Sequence, residues 1–364
     1  MSEAVCGKVN GRGVGSGRSR TNRKGREGFR EIHKEKPVTD GPNDIEATPG
    51  SSAPSFAAAS EPSYARTLFL GPDGLRAGWG LAFYVGAFLA LQQFAAPLAA
   101  MHDFGASGLW NMALEELGNL VAAIIPAIVL ARVERRAWGV FGLPGRGAFG
   151  RRFWAGAVWG FAGISLLIFS LYGTRVFGFG HVLLHGTRVV RFAAFWALMF
   201  LLVGLFEEFL LRGYLQFTLA RGVGFWPAAA TLSCAFGLIH LRNGNEQWRG
   251  LLAAAVIGFF FCLTLRRTGS LWFAVGFHAA WDWGETFFYS VPDSGNVWPG
   301  HLLSSSVRGP DWLSGGAVGP EGSVLCLVVV GVLWVAFDRV YPSAGQGAST
   351  LSATAGSSSL RSSE

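Results

Sequence analysis

Residues 193–219 read AAFWALMFLLVGLFEEFLLRGYLQFTL, and Glu207, Glu208 and Arg212 are the charged residues among them. A helix needs about 20 mostly apolar residues to cross the hydrocarbon core of a bilayer, and this run exceeds that. The chain around it excludes an ordinary soluble domain. Of 364 residues, 51% are hydrophobic and 15% charged, against about 25% charged in a typical soluble protein. Further apolar runs lie at 78–101, 109–131, 153–172, 226–241, 250–266, 270–290 and 323–341. The expected fold is therefore all-α: a polytopic membrane helix bundle of about eight transmembrane helices, multi-pass in the cell membrane. Gly and Pro recur inside the runs, which membrane helices tolerate.

The runs define a helical domain over 66–342. Residues 1–65 form an expected disordered tail, rich in Arg, Lys and Gly over 7–36 and in Pro, Ser, Ala and acids over 40–64. It has no apolar core of the kind a signal peptide carries. Residues 343–364 are rich in Ser, Gly and Ala and read as a second disordered tail. Cys6, Cys234, Cys262 and Cys326 show no zinc or disulfide spacing and read as packing residues. The net charge of +7 comes with no nucleic-acid-reading motif. Basic residues fall in the tail and the loops, where anionic membrane lipids are the expected partner. Arg132, Arg135, Arg136, Arg146, Arg151 and Arg152 follow the second run, Arg266 and Arg267 stand at the turn between the sixth and seventh, and Arg339 at the end of the eighth. By the bias of Lys and Arg toward cytoplasmic loops, these segments and both termini face the cytoplasm. Arg175, Arg188 and Arg191 run against that assignment.

An ionisable group inside a membrane helix is costly and marks function by default. The fourth run holds Phe206-Glu207-Glu208-Phe209-Leu210-Leu211-Arg212, the fifth ends Phe236-Gly237-Leu238-Ile239-His240, and the seventh holds His278-Ala279-Ala280-Trp281-Asp282. Residues four apart stack on one helix face, so Glu208 should neutralise Arg212, His278 should share a face with Asp282, and Phe236 with His240. Glu207, rotated by about 100°, is left to point into a cavity. Counted along the runs, Glu207, His240 and His278 reach a common level in the middle or cytoplasmic half of the membrane. One carboxylate and two imidazoles in a dry pocket suit water activation and oxyanion stabilisation. The same groups also suit hydrogen bonding between helices or an ion relay. Glu115-Glu116 lacks an Arg at position 120 and reads as interfacial. His181 and His185 lie in a Gly-rich outer loop without an acidic partner. Glu285, three residues after Asp282, is expected to line the same cavity or to support it from behind its lining.

Glu-Glu-x-x-x-Arg, Phe-x-x-x-His and His-x-x-x-Asp, on successive apolar helices in this order, resemble the CPBP intramembrane protease family of CAAX-processing and bacteriocin-processing proteins. Phe141-Gly142-Leu143 is similar to the family's segment after its second helix. The resemblance covers about residues 75–290. It implies a membrane-embedded endopeptidase in which Glu207 and His240 activate water, His278 and Asp282 hold the oxyanion or orient the scissile carbonyl, and Glu208, Arg212 and Phe236 support the site. The expected substrate is a membrane-associated peptide or protein, and no nucleic-acid partner is expected. No cofactor is the favoured expectation; if zinc is used, Glu207, His240 and His278 are its ligands. Two other classes stay open at this stage: a catalytically idle relative that regulates a membrane partner, and an ion-coupled transporter.

Overall fold

The structure is a computed structural model and describes residues 68–71, 74–100 and 108–343. Apart from Ser343, the two expected tails lie outside the described residues. A helix stands at every apolar run. These are α1 (Ala77–Ala100), α2 (Leu109–Val133), α3 (Arg151–Gly173), α4 (Thr187–Leu210) continued as α5 (Gln216–Val223), α6 (Phe225–Ile239), α7 (Trp248–Thr268), α8 (Trp272–Trp283) and α9 (Val324–Val340). The strands are two-residue pairs, Leu70–Gly71 with Gly74–Leu75 and Phe177–Gly178 with Ser306–Val307.

Among the described residues, four helices are long and apolar enough to cross a membrane: α2, α3, the joined α4–α5 and α7. Each of the eight apolar runs expected to span holds a helix. Helices α6, α8 and α9 have 15, 12 and 17 residues. At 1.5 Å per residue they reach roughly 18–26 Å, short of the ~30 Å hydrocarbon core. Helix α6 gives way to a tight turn at His240–Arg242 and α8 to a π-helical turn at Gly284–Tyr289.

Helix α8 is the axis of the domain. Every residue from Trp272 to Phe277 is buried, as expected of a helix that is apolar all round. It packs along α3 on one side and α4 on the other. Lipid supplies no hydrophobic force between helices, so close packing must come from small residues. Gly156 and Gly160, four apart on α3, lie directly against the Phe273 and Phe277 carbonyls, and Gly276 answers against the Phe153 carbonyl. A β-carbon at any of the three would fall far inside contact distance of backbone. Overpacking of this kind costs about 1–3 kcal/mol. Gly160→Val should therefore melt clearly below wild type in detergent. Gly331→Val, where a β-carbon meets nothing within 4 Å, should not. Equal melting of the two variants would contradict the close contact.

The connections sort to two ends. At one, the Gly142 carbonyl accepts from Leu271 N–H (2.7 Å) and the Pro144 carbonyl from the Trp272 indole (3.0 Å); the arginine-rich 134–150 segment lies here. At the other, Val182 bridges Leu303, while Asn243 and Asn245 donate to the carbonyls of Ser294 and Gly295. Segment 291–322 thereby closes over that end, tied to the α3–α4 and α6–α7 connections.

Candidate functional site

Helix α4 carries two adjacent carboxylates, and its glycine one turn earlier decides what they meet. A β-carbon on Gly204 would lie 3.2 Å from the Val275 carbonyl and 3.4 Å from the His278 β-carbon. Without that β-carbon, α8 approaches closely enough for His278 Nδ1 to meet Glu208 Oε1 at 3.2 Å. The same oxygen accepts from Arg212 Nη1 at 3.2 Å, and Glu208 and Arg212 are both fully buried. The expected pair is present, with an imidazole as an unexpected third member. A π-helical turn at Leu211–Leu215 follows, and Gly213 leaves the helical region there (φ −82°, ψ −121°). The guanidinium carbon of Arg212 lies 4.5 Å from the centre of the Phe236 ring, a cation–π distance. Gly258 leaves room for it, since a β-carbon there would strike Nη2.

With Nδ1 of His278 engaged by Glu208, its Nε2 faces the other two carboxylates. Glu207 Oε2 lies at 3.5 Å and Asp282 Oδ2 at 3.4 Å. His240 sits where α6 ends. Its Nδ1 is 2.8 Å from the Phe236 carbonyl, and its ring stands edge-on to the Phe236 ring at 4.7 Å. A carbonyl only accepts, so this Nδ1 carries the proton, and in the neutral ring Nε2 is the free base.

Glu207, His240, His278, Asp282 and Phe236 line one cavity of about 210 Å³, walled by apolar residues such as Met199, Val203 and Ile257. The three motifs do meet. Asn243, Asp293, Asn296, Trp298 and Glu321 also line the cavity. It therefore extends up to the end opposite the arginine-rich connections, where His240 lies.

Several residues depart from their sequence reading. Glu116 lines the cavity instead of sitting at an interface; the missing Arg at position 120 was no guide to which way its helix face points. Glu285 is fully buried and stands apart from the cavity lining, with Oε2 accepting from the Trp281 indole at 3.1 Å. That indole is shared with Glu321 Oε1, also at 3.1 Å. Asp293 and Glu321 lie outside the apolar runs, so the cost of charge in a membrane gave no signal for them. Burial, and then the Glu321 carboxylate, push Asp293 up to about 8. His181 and His185 are exposed, and His181 Nδ1 engages the Ser304 hydroxyl at 2.8 Å.

Zinc donors lie about 2.0–2.2 Å from the metal, so a zinc set needs donor atoms close together. Among the described residues, Glu285, Asp293 and Glu321 bring ligand atoms within 4.8 Å of one another. Glu207, His240 and His278 are not gathered that closely.

A family model described as type II CAAX prenyl endopeptidase Rce1-like matches residues 189–284. The matched stretch runs from the start of α4 to just beyond α8 and includes Glu207, His240, His278 and Asp282. It agrees with the CAAX protease resemblance read from the three motifs. No curated protein matched the chain.

Proposed function

We propose that this protein is an intramembrane endopeptidase that hydrolyses a peptide bond of a membrane-associated peptide or protein without a metal. What supports this reading most is the convergence of Glu207, His240, His278 and Asp282 from three helices on one cavity. The family match over 189–284 points to the same class.

In this mechanism a water molecule lies between Glu207 and the free Nε2 of His240. Glu207 takes a proton from it as its oxygen attacks the scissile carbonyl carbon. The developing oxyanion rests on the His278–Asp282 side of the cavity, where preorganised groups act without the reorganisation that water would need. Collapse breaks the C–N bond, and Glu207 returns the proton to the leaving amine. Glu208 and Arg212 touch no reacting atom. They position His278 by holding its Nδ1, so that Nε2 stays turned to the cavity. The protein spans the cell membrane several times, with its arginine-rich end and both termini in the cytoplasm.

The substrate is best found by comparison of membrane proteomes. Cells carrying Glu207→Ala should accumulate full-length forms of a small set of membrane-associated proteins, whose cleaved termini appear with wild type. The chemistry of the accumulated C-termini, prenylated or not, then defines the substrate class. Identical proteomes, in cells that express both proteins equally, would count against a protease.

A further inference from the structure

Beside the cavity, Glu285 at the end of α8, Asp293 in the closing segment and Glu321 before α9 place ligand oxygens within 4.8 Å of one another. This cluster takes no part in the hydrolysis proposed above. Each carboxylate is held by a neutral donor: Glu285 and Glu321 by the Trp281 indole, Asp293 by the Thr286 hydroxyl (2.9 Å) and Glu321 also by the Ser294 hydroxyl (2.7 Å). Among the described residues, no Arg or Lys forms an ion pair with any of the three.

A second observation points to a ligand. Glu285 is fully buried, and its Oε1 has no hydrogen-bond donor. A buried carboxylate oxygen with no donor, next to two more carboxylates, is costly to leave uncompensated. Elsewhere the buried carboxylate Glu208 meets Arg212 and His278. Here no Arg or Lys among the described residues supplies a compensating positive charge.

We propose that Glu285, Asp293 and Glu321 bind one Ca²⁺ ion, which fastens segment 291–322 over the cavity. Hard carboxylate oxygens select hard cations. Ca²⁺–O distances of about 2.3–2.6 Å put opposite ligands about 4.6–5.2 Å apart, so oxygens within 4.8 Å of one another fit one coordination shell. Asp293 comes from a loop and Glu321 from a single 3-10 turn, which suits the flexible geometry of Ca²⁺ better than the strict octahedron of Mg²⁺. The remaining positions fall to water and to the second carboxylate oxygens. The ion would link the end of α8, the closing segment and the start of α9, with Trp281 forming both the wall of the cavity and the floor of the site.

The test needs no substrate, so it stands apart from the protease reading. Full-length protein in detergent is stripped with a chelator and titrated separately with Ca²⁺, Mg²⁺ and Mn²⁺, following calorimetry and melting temperature. One Ca²⁺ per chain should bind, with a melting temperature that rises with Ca²⁺ concentration and a weaker response to Mg²⁺. Asp293→Asn, at a half-buried loop position, and Glu321→Gln should weaken Ca²⁺ binding by at least the ~10–100-fold lost when even an outer partner of a metal site is removed. Without Ca²⁺ both variants should melt no lower than wild type, because each amide keeps the shape of the carboxyl it replaces. Absence of saturable Ca²⁺ binding to wild type would overturn the proposal, as would binding that neither substitution changes.

Discussion

Glu207→Gln, in the purified full-length protein, should lower cleavage of a membrane-tethered peptide by about 10²–10⁴-fold, the usual worth of a positioned general base. The fold should survive the change. The Glu207 side chain is 26% exposed to the cavity, and glutamine has the same shape without the basic oxygen. His240→Ala should give a loss of the same order. It removes the Nε2 that faces the cavity, while the Phe236 carbonyl that held Nδ1 stays within a helix end. The wild-type enzyme should turn over with far less than one zinc per chain by elemental analysis. Either variant cleaving an identified substrate at the wild-type rate would refute the assigned base. Activity that tracks zinc stoichiometry would instead make Glu207, His240 and His278 ligands.

Arg212→Ala should cost about 3–5 kcal/mol of stability, the penalty for removing one partner of a buried ion pair. Glu208 would keep its charge at a fully buried position, with only His278 beside it. Glu208→Ala should do the same from the other side, and it also releases the His278 ring. Replacing both residues by apolar side chains of similar volume should be milder than either single change, since no unpaired charge remains. Stability read by thermal melting gives the coupling from the double-mutant cycle. A positioning role makes a further demand: the double variant, though folded, should lose kcat more than it raises KM. Additive single effects, or a double variant with wild-type kcat, would remove Glu208 and Arg212 from that role.

The parts legible in the sequence were those in which one helix carries the whole signal. Glu208 with Arg212, and His278 with Asp282, were readable because four-residue spacing fixes a shared face. The apolar runs were readable because their length and composition demand helices. Contacts between helices left weaker marks. Glu208 meets His278 across 70 residues, and only Gly204, one glycine among 51, hinted that α8 comes close there. Glu116 faces the cavity because of how α2 is rotated, which its own periodicity does not state. Asp293 and Glu321 escaped notice because acids in a polar connection look ordinary until that connection folds back over the bundle. The number of full-length spans is hard to read from the sequence for a related reason. Hydropathy measures how apolar a run is, and α8 is apolar because protein surrounds it on all sides.

The pairing of Glu208 with Arg212 inside one stretch of helix has a bearing on how the chain is made. Ribosomes add Glu208 to the chain 70 residues before His278. An arginine awaiting a partner on a later helix would face lipid alone, or hold the segment back in the insertion channel. Because its counter-charge lies one turn away on the same segment, the pair can close while the nascent chain is still emerging, and α4 can partition sideways as a nearly neutral unit. The histidine that later joins Glu208 then finds a carboxylate already fixed in place, so the order of translation and the order of assembly of the site coincide.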